Sequence, residues 1–223
     1  MTVHTIVRSK SSLMHVCMMN GMLVLVCLAA LVVGCGHQSV RPAVNPPVVD
    51  SANQELKEIR TPDILFVPTP QEVVDKMLEL ADVKKDDLVY DLGCGDGRIV
   101  VTAAKKFGCM GVGYDIDPQR VIESLENVKK NNVQNLVNIY QKDIFTIDLG
   151  KANVITLYLL SSLNVKLIPQ LEKVKPGTRI VSHDFDMQGI VTPVKTVTVN
   201  SGEYSQHTVY LWIAPLKKND MNK

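Results

Sequence analysis

The stretch Leu88-Val-Tyr-Asp-Leu-Gly-Cys-Gly-Asp-Gly97, followed by Arg98-Ile-Val-Val-Thr-Ala-Ala-Lys-Lys106, decides how this chain is read. Leu88 to Leu92 reads as a short buried strand, and Ile99, Val100, Ala103 and Ala104 fall on one side of a following helix. Between them, Gly93, Gly95 and Gly97 let the backbone turn sharply and leave no side chain between it and a ligand. The turn opens on a helix N-terminus, where free N–H groups and the helix dipole favour negative charge. A nucleotide-like ligand is the expectation.

Spacing narrows the choice. A dinucleotide site of the G-x-G-x-x-G kind needs a third glycine where Arg98 stands, which disfavours a nicotinamide oxidoreductase. The glycines run instead as G-x-G-x-G, with Asp91 two residues ahead of the first. A second strand, Met110 to Ile116, carries Asp115 near its end, where an acidic side chain can accept from both hydroxyls of a ribose. Asp117 and Pro118 open the next helix as cap and first helical residue, which leaves Asp115 as the ribose ligand. Val121, Ile122, Leu125 and Val128 give that helix its core face.

Asp91-Leu-Gly-Cys-Gly-Asp-Gly97 with Gly113-Tyr-Asp-Ile-Asp117 resembles the class I S-adenosylmethionine (SAM) methyltransferase family, and the likeness runs from about Phe66 onward. It implies an α/β, Rossmann-like, seven-stranded and mostly parallel sheet flanked by helices, with SAM as cofactor. The order of elements agrees: third, fourth and fifth strands are expected at Leu136–Gln141, Val154–Leu160 and Arg179–Phe185, then a hairpin of Val194–Val199 and Thr208–Ala214. A helix over Ser161–Val174 is disturbed by Pro169. The resemblance places Asp143 against the adenine amino group; a carboxylate closing a strand-end turn is the competing reading. It also places the Val67-Pro-Thr69 entry over the methionine end of SAM. Thr69, Pro70 and Glu72 read equally as a capping box for the helix that buries Val73, Val74, Met77, Leu78 and Ala81.

On the acceptor side the Asn/Asp-Pro-Pro-Tyr signature of many amino-methylating relatives is replaced by Thr156-Leu-Tyr-Leu, which argues against DNA-base or glutamine methylation. Tyr158 is left as an acceptor-side candidate or a core tyrosine. His183 and Asp184, near the end of the fifth strand, can orient or deprotonate an acceptor or form a surface hydrogen bond. Val67-Pro-Thr69, Asp96-Gly-Arg-Ile-Val100 and Gly111-Val-Gly-Tyr114 are similar to the mitochondrial lysine methyltransferases that act on the c-subunit of ATP synthase and on the adenine nucleotide carrier. That likeness implies a protein-lysine acceptor in a small membrane protein.

With 24 basic and 23 acidic residues in 223, the chain has a net charge of +1, which gives no electrostatic reason to expect nucleic acid. Cys94 and Cys109 belong to the domain, Cys94 filling a place in the turn that needs a small side chain. Neither these nor the other cysteines form a Cys/His pattern for a metal. Arg8 and Lys10 precede an apolar run, Gly21 to Gly34, that is shorter than a spanning helix and matches a signal-peptide core. Val32-Val-Gly-Cys35 looks like a bacterial lipobox with Cys35 as the lipidated residue; an uncut membrane anchor is the alternative.

Four parts are therefore expected: a signal or anchor at 1–34, a lipidated tether at 35–62, the methyltransferase domain at 63–216 and a disordered tail at 217–223. A periplasmic or outer-face location conflicts with the cytoplasmic origin of SAM, unless the anchor is uncut and the domain faces inward. A small-molecule methyltransferase and an exported, non-catalytic nucleoside-binding lipoprotein are the other functions compatible with these residues.

Overall fold

The computed structural model describes residues 59–202 and 205–219. The apolar run, Cys35, most of the expected tether and the last four residues lie outside the described residues.

The elements follow in the order α1 (Gln71–Leu80), β1 (Leu88–Leu92), α2 (Arg98–Phe107), β2 (Met110–Asp115), α3 (Pro118–Lys130), β3 (Val137–Gln141), β4 (Val154–Leu157), α4 (Ser161–Leu171), β5 (Arg179–His183), β6 (Lys195–Ser201) and β7 (Ser205–Ile213). The strands form one sheet in the order β3-β2-β1-β4-β5-β7-β6. The first five are parallel, and β7 runs antiparallel between β5 and β6. This is the expected seven-stranded, mostly parallel Rossmann-like sheet. From β1 the chain steps outward to β2 and β3, then returns to the other side of β1 for β4 and β5. That reversal opens a crevice at the carboxyl ends of β1 and β4.

Helices on both faces explain why the central strands carry almost no exposed residue: Val89–Leu92 and Val154–Leu157 are buried throughout. On one face α1 packs Val73, Val74, Met77 and Leu78 against Val89, Val154, Val181 and Val209. On the other, Leu167, Ile168 and Leu171 of α4 join Tyr90, Ile155, Ile180 and Trp212. The edge strand β6 alternates between exposed and half-buried positions.

Local expectations fail in four places. Thr69 does not cap α1: Pro70 holds the cap position, no side chain caps the helix, and Thr69 is buried with its hydroxyl on His183 instead. Ile122 of α3 is exposed and Ser124 is buried, packed so closely on Gly97 that a Cβ there would lie 2.9 Å from Ser124 Cβ. β5 stops at His183, where Asp184 takes a left-handed backbone (φ 56°). The start of the expected tail is held in place: Lys218 bridges to Val191, and Asn219 N–H donates to the Ile190 carbonyl at 2.8 Å. The cap on α3 is as expected, with Asp117 accepting from Gln119 N–H.

Trp212 is 1% exposed and its indole N–H donates to the Val191 carbonyl at 3.0 Å. Trp212→Ala is expected to cost about 3–5 kcal/mol of stability by cavity formation and the orphaned carbonyl. Chemical denaturation followed by far-UV circular dichroism measures it, since this is the single tryptophan.

Candidate active site

A cavity of about 450 Å³ lies over the carboxyl ends of β3, β2, β1 and β4. At about 4.8 Å between strands, four adjacent strand ends span roughly 14 Å, so the cavity suits an elongated ligand. Asp143 and Ile144 line the end beyond β3, Asp115 and Ile116 follow β2, Asp91, Gly93 and Cys94 follow β1, and Tyr158, Leu159 and Leu160 follow β4.

The glycine turn is built by close approaches. Gly93 (φ 78°) and Gly95 (φ 55°) both need left-handed backbone, and a Cβ on Gly95 would fall 2.2 Å from the Phe66 ring. Gly113 on β2 leaves the room that Cys94 fills; a Cβ there would stand 2.8 Å from Cys94 Sγ. Burial pushes the Cys94 thiol well above its usual range, with Asp115 and Asp91 adding to the effect, so it is not a nucleophile.

The expectation about the turn's donors holds only in part. Several of its N–H groups already have acceptors. Those of Gly93 and Cys94 donate to the Tyr114 carbonyl at 2.8 and 2.9 Å, and that of Gly95 donates to Asp115 Oδ2 at 2.8 Å. Arg98 N–H donates to Asp96 Oδ1 at 3.2 Å. With these donors taken and three carboxylates nearby, the turn disfavours a phosphate and suits an uncharged or cationic nucleoside.

Asp91 sits in β1 opposite Thr156, whose hydroxyl donates to its Oδ1 at 2.6 Å. Its Oδ2 is buried with no hydrogen-bond partner. Burial pushes the Asp91 carboxyl up to about 7 despite the Thr156 hydroxyl, with Asp115 and Asp96 adding to the rise. Asp115 holds the Gly95 and Asp117 N–H groups on its two oxygens, and burial raises it too. Asp143 accepts from Phe145 N–H at 3.0 Å and from Arg60 Nε at 2.8 Å. It is thus a turn carboxylate that also lines the cavity, and Arg60 holds it below the usual range.

Two arginines were not legible as site residues. Arg60, inside the expected tether, joins Asp143 and Asp63. Arg98 donates to the Thr69 carbonyl at 2.8 Å while paired with Asp96, tying the entry segment to the turn. Of the three acceptor-side candidates, Tyr158 alone lines the cavity. His183 is fully buried behind it, stacked on the Tyr158 ring at 3.9 Å between centroids, and burial pushes its imidazole down to about 4. Asp184 accepts from Thr208 N–H and contacts His207, a residue with no signal in the sequence. A base in direct contact with an acceptor is therefore not what His183 and Asp184 form.

Fold and cavity together define a class I methyltransferase site. The profile of the ANTKMT methyltransferase domain matches residues 91–195. A protein-lysine N-methyltransferase of Saccharolobus islandicus is 47% identical over 154 residues, which are 68% of this chain and 94% of that protein. The Homo sapiens lysine N-methyltransferase of the ATP synthase c-subunit is 27% identical over 144 residues, 64% of this chain and 58% of the human one. A crystal structure of an RNA methyltransferase from Salinibacter ruber with S-adenosyl-L-homocysteine superposes with a TM-score of 0.63 at 49% identity, covering 70% of this chain and all of that one. The chain belongs to this ANTKMT-type methyltransferase family and is a SAM-dependent methyltransferase.

The cavity fits SAM on its own terms. The orphaned Asp91 oxygen calls for a cationic donor, and the α-ammonium of the cofactor's methionine is one. Bringing that ammonium to a carboxylate favours its ionised form, so binding expels a proton wherever free Asp91 is protonated. Affinity for S-adenosyl-L-homocysteine is therefore expected to rise as pH climbs from about 6 to 7.5, through the raised Asp91 value. It should level off near pH 8, where free Asp91 is already almost fully ionised. Titration calorimetry of Asp91→Asn should show affinity lower by about tenfold at neutral pH and this rising limb gone.

Proposed function

We propose that this enzyme methylates the side-chain amine of a lysine in a protein. The observation that carries the reading is the acceptor wall: beyond β4 and β5 the cavity is lined by Tyr158, Leu159, Leu160, Leu163 and Phe185, with no charged group among them. Around its mouth Leu65, Val67 and Leu160 are exposed apolar residues. The name and 47% identity of the Saccharolobus relative support the same acceptor.

SAM supplies a methyl group already activated on a sulfonium. The chain has to hold an amine lone pair in line with it and keep water out. A lysine stem can lie along the apolar wall, and an amine leaving water there gives up its proton to solvent through the mouth before it attacks. Burial raises the Tyr158 hydroxyl above its usual range, so it stays a phenol whose oxygen can accept from the amine N–H and aim the lone pair. His183, stacked behind, sets the ring. Gly93, Gly95 and Gly97 with Asp91 and Asp115 hold the cofactor in this reading, Asp115 on the ribose, Asp143 at the adenine end and Thr69 in the segment over the methionine end. The N-terminal apolar run and Cys35 add a membrane attachment to the proposal, and with it an acceptor in a membrane protein. RNA is the second reading, favoured by the name of the Salinibacter relative; the even charge balance weighs against it.

Full-length enzyme and Asp115→Ala, given methyl-labelled SAM, should be compared on membrane, soluble-protein and RNA fractions. A labelled protein band carrying methylated lysine by mass spectrometry is expected. Asp115→Ala should lose SAM affinity on the order of 100-fold, because a charged acceptor for two N–H groups and the ribose is gone. Label confined to RNA or to small molecules would overturn the lysine reading.

A further inference from the structure

We propose that His183, Asp184 and His207 form a binding site for one divalent transition-metal ion of the zinc type, behind the acceptor wall. Three potential ligand atoms meet at one point. His183 Nε2 lies 2.9 Å from His207 Nδ1, His207 Nδ1 lies 2.9 Å from Asp184 Oδ2, and His183 Nε2 lies 3.2 Å from the same oxygen.

Protons alone do not satisfy this triangle. With a hydrogen on both nitrogens, two N–H groups face each other across 2.9 Å; with one, the remaining nitrogen sets its lone pair against the carboxylate; with none, every edge is repulsive. A cation inside the triangle is attracted by all three atoms at once. The spacing of the three atoms would let one ion reach all of them at metal–ligand lengths of about 2.0–2.2 Å.

The other polar atoms of these side chains are turned to the roles that a metal site requires. His183 Nδ1 is hydrogen-bonded to Thr69 Oγ1 at 3.2 Å, and donation there leaves the Nε2 lone pair facing inward. Asp184 Oδ1 accepts from Thr208 N–H at 2.7 Å, which aims Oδ2 at the two rings. Neighbouring residues of a strand point to opposite faces, but the left-handed backbone of Asp184 brings its carboxylate alongside the preceding histidine. Two imidazoles and a carboxylate select zinc-like ions over magnesium or calcium. Bound there, the ion clamps the end of β5 to β7. Through Thr69 and the stacked Tyr158 it also fixes two residues that line the cavity. The three ligands are positioning residues.

Full-length protein in detergent, stripped with a chelator, is dialysed against Zn²⁺ and, separately, Co²⁺. We expect one Zn²⁺ per chain, a higher Tm with Zn²⁺ than without, and visible Co²⁺ absorption bands of a nitrogen–oxygen site. His207→Ala and the near-isosteric Asp184→Asn, each checked for native far-UV circular dichroism, should weaken Zn²⁺ binding at least about tenfold and abolish the Tm shift. Failure of the stripped wild type to take up Zn²⁺, or equal uptake by a folded His207→Ala, would overturn the site. S-adenosyl-L-homocysteine affinity, measured on the same samples, reports separately on the cofactor cavity.

Discussion

Asp91 places a buried carboxylate inside a parallel sheet, between Gly113 of β2 and Thr156 of β4, where each polar oxygen needs a donor. Thr156 serves one oxygen and nothing in the protein serves the other. Such a group costs free energy wherever the surroundings are permanently closed. It is sustainable here because the strand order reverses beside it, so that the carboxyl ends of β1 and β4 part and Asp91 lines the cavity. Sheet topology and ligand chemistry therefore meet at this residue. In the proposed function this position selects a cofactor with a cationic amine.

The glycine turn serves that selection in a way its motif alone does not reveal. The Gly93, Cys94 and Gly95 donors are taken by the Tyr114 carbonyl and the Asp115 carboxylate, so this part of the turn is shaped by close contact and disfavours phosphate. Phe66 lies where a Gly95 side chain would be, Arg120 stands 4.9 Å from the Phe66 ring centre, and Arg98 holds the Thr69 carbonyl. The segment before α1 is thus a wall of the cavity. Arg60 pins its beginning to Asp143. A displacement at a sulfonium needs confinement more than it needs an acid or base, and this wall supplies it.

What could be read in advance follows the range of the forces involved. The strands and helices, the buried face of α1, the Asp117 cap and the turn glycines were legible because they rest on periodicity and on contacts within a few residues. For Thr69 the sequence left cap and cavity roles both open: a cap three residues away competed with a histidine 114 residues away, and the buried partner won. Arg60 was invisible as a site residue, since a polar, proline-bearing segment gives no sign of which carboxylate it will meet. His207 had no signal at all: it sits in a hairpin strand whose pairing with β5 brings it to Asp184.

By itself the sequence determined the class of fold, the glycine turn after β1 and the acidic residues along that edge, because hydrophobic period and glycine spacing are local properties of the chain. The tertiary structure decided which of those acids lacks a partner, which donors of the turn remain free, that Tyr158 faces the cavity while His183 stands behind it, and that two histidines and an aspartate converge. Those outcomes depend on distances between strands far apart in sequence. Only the packed sheet sets them.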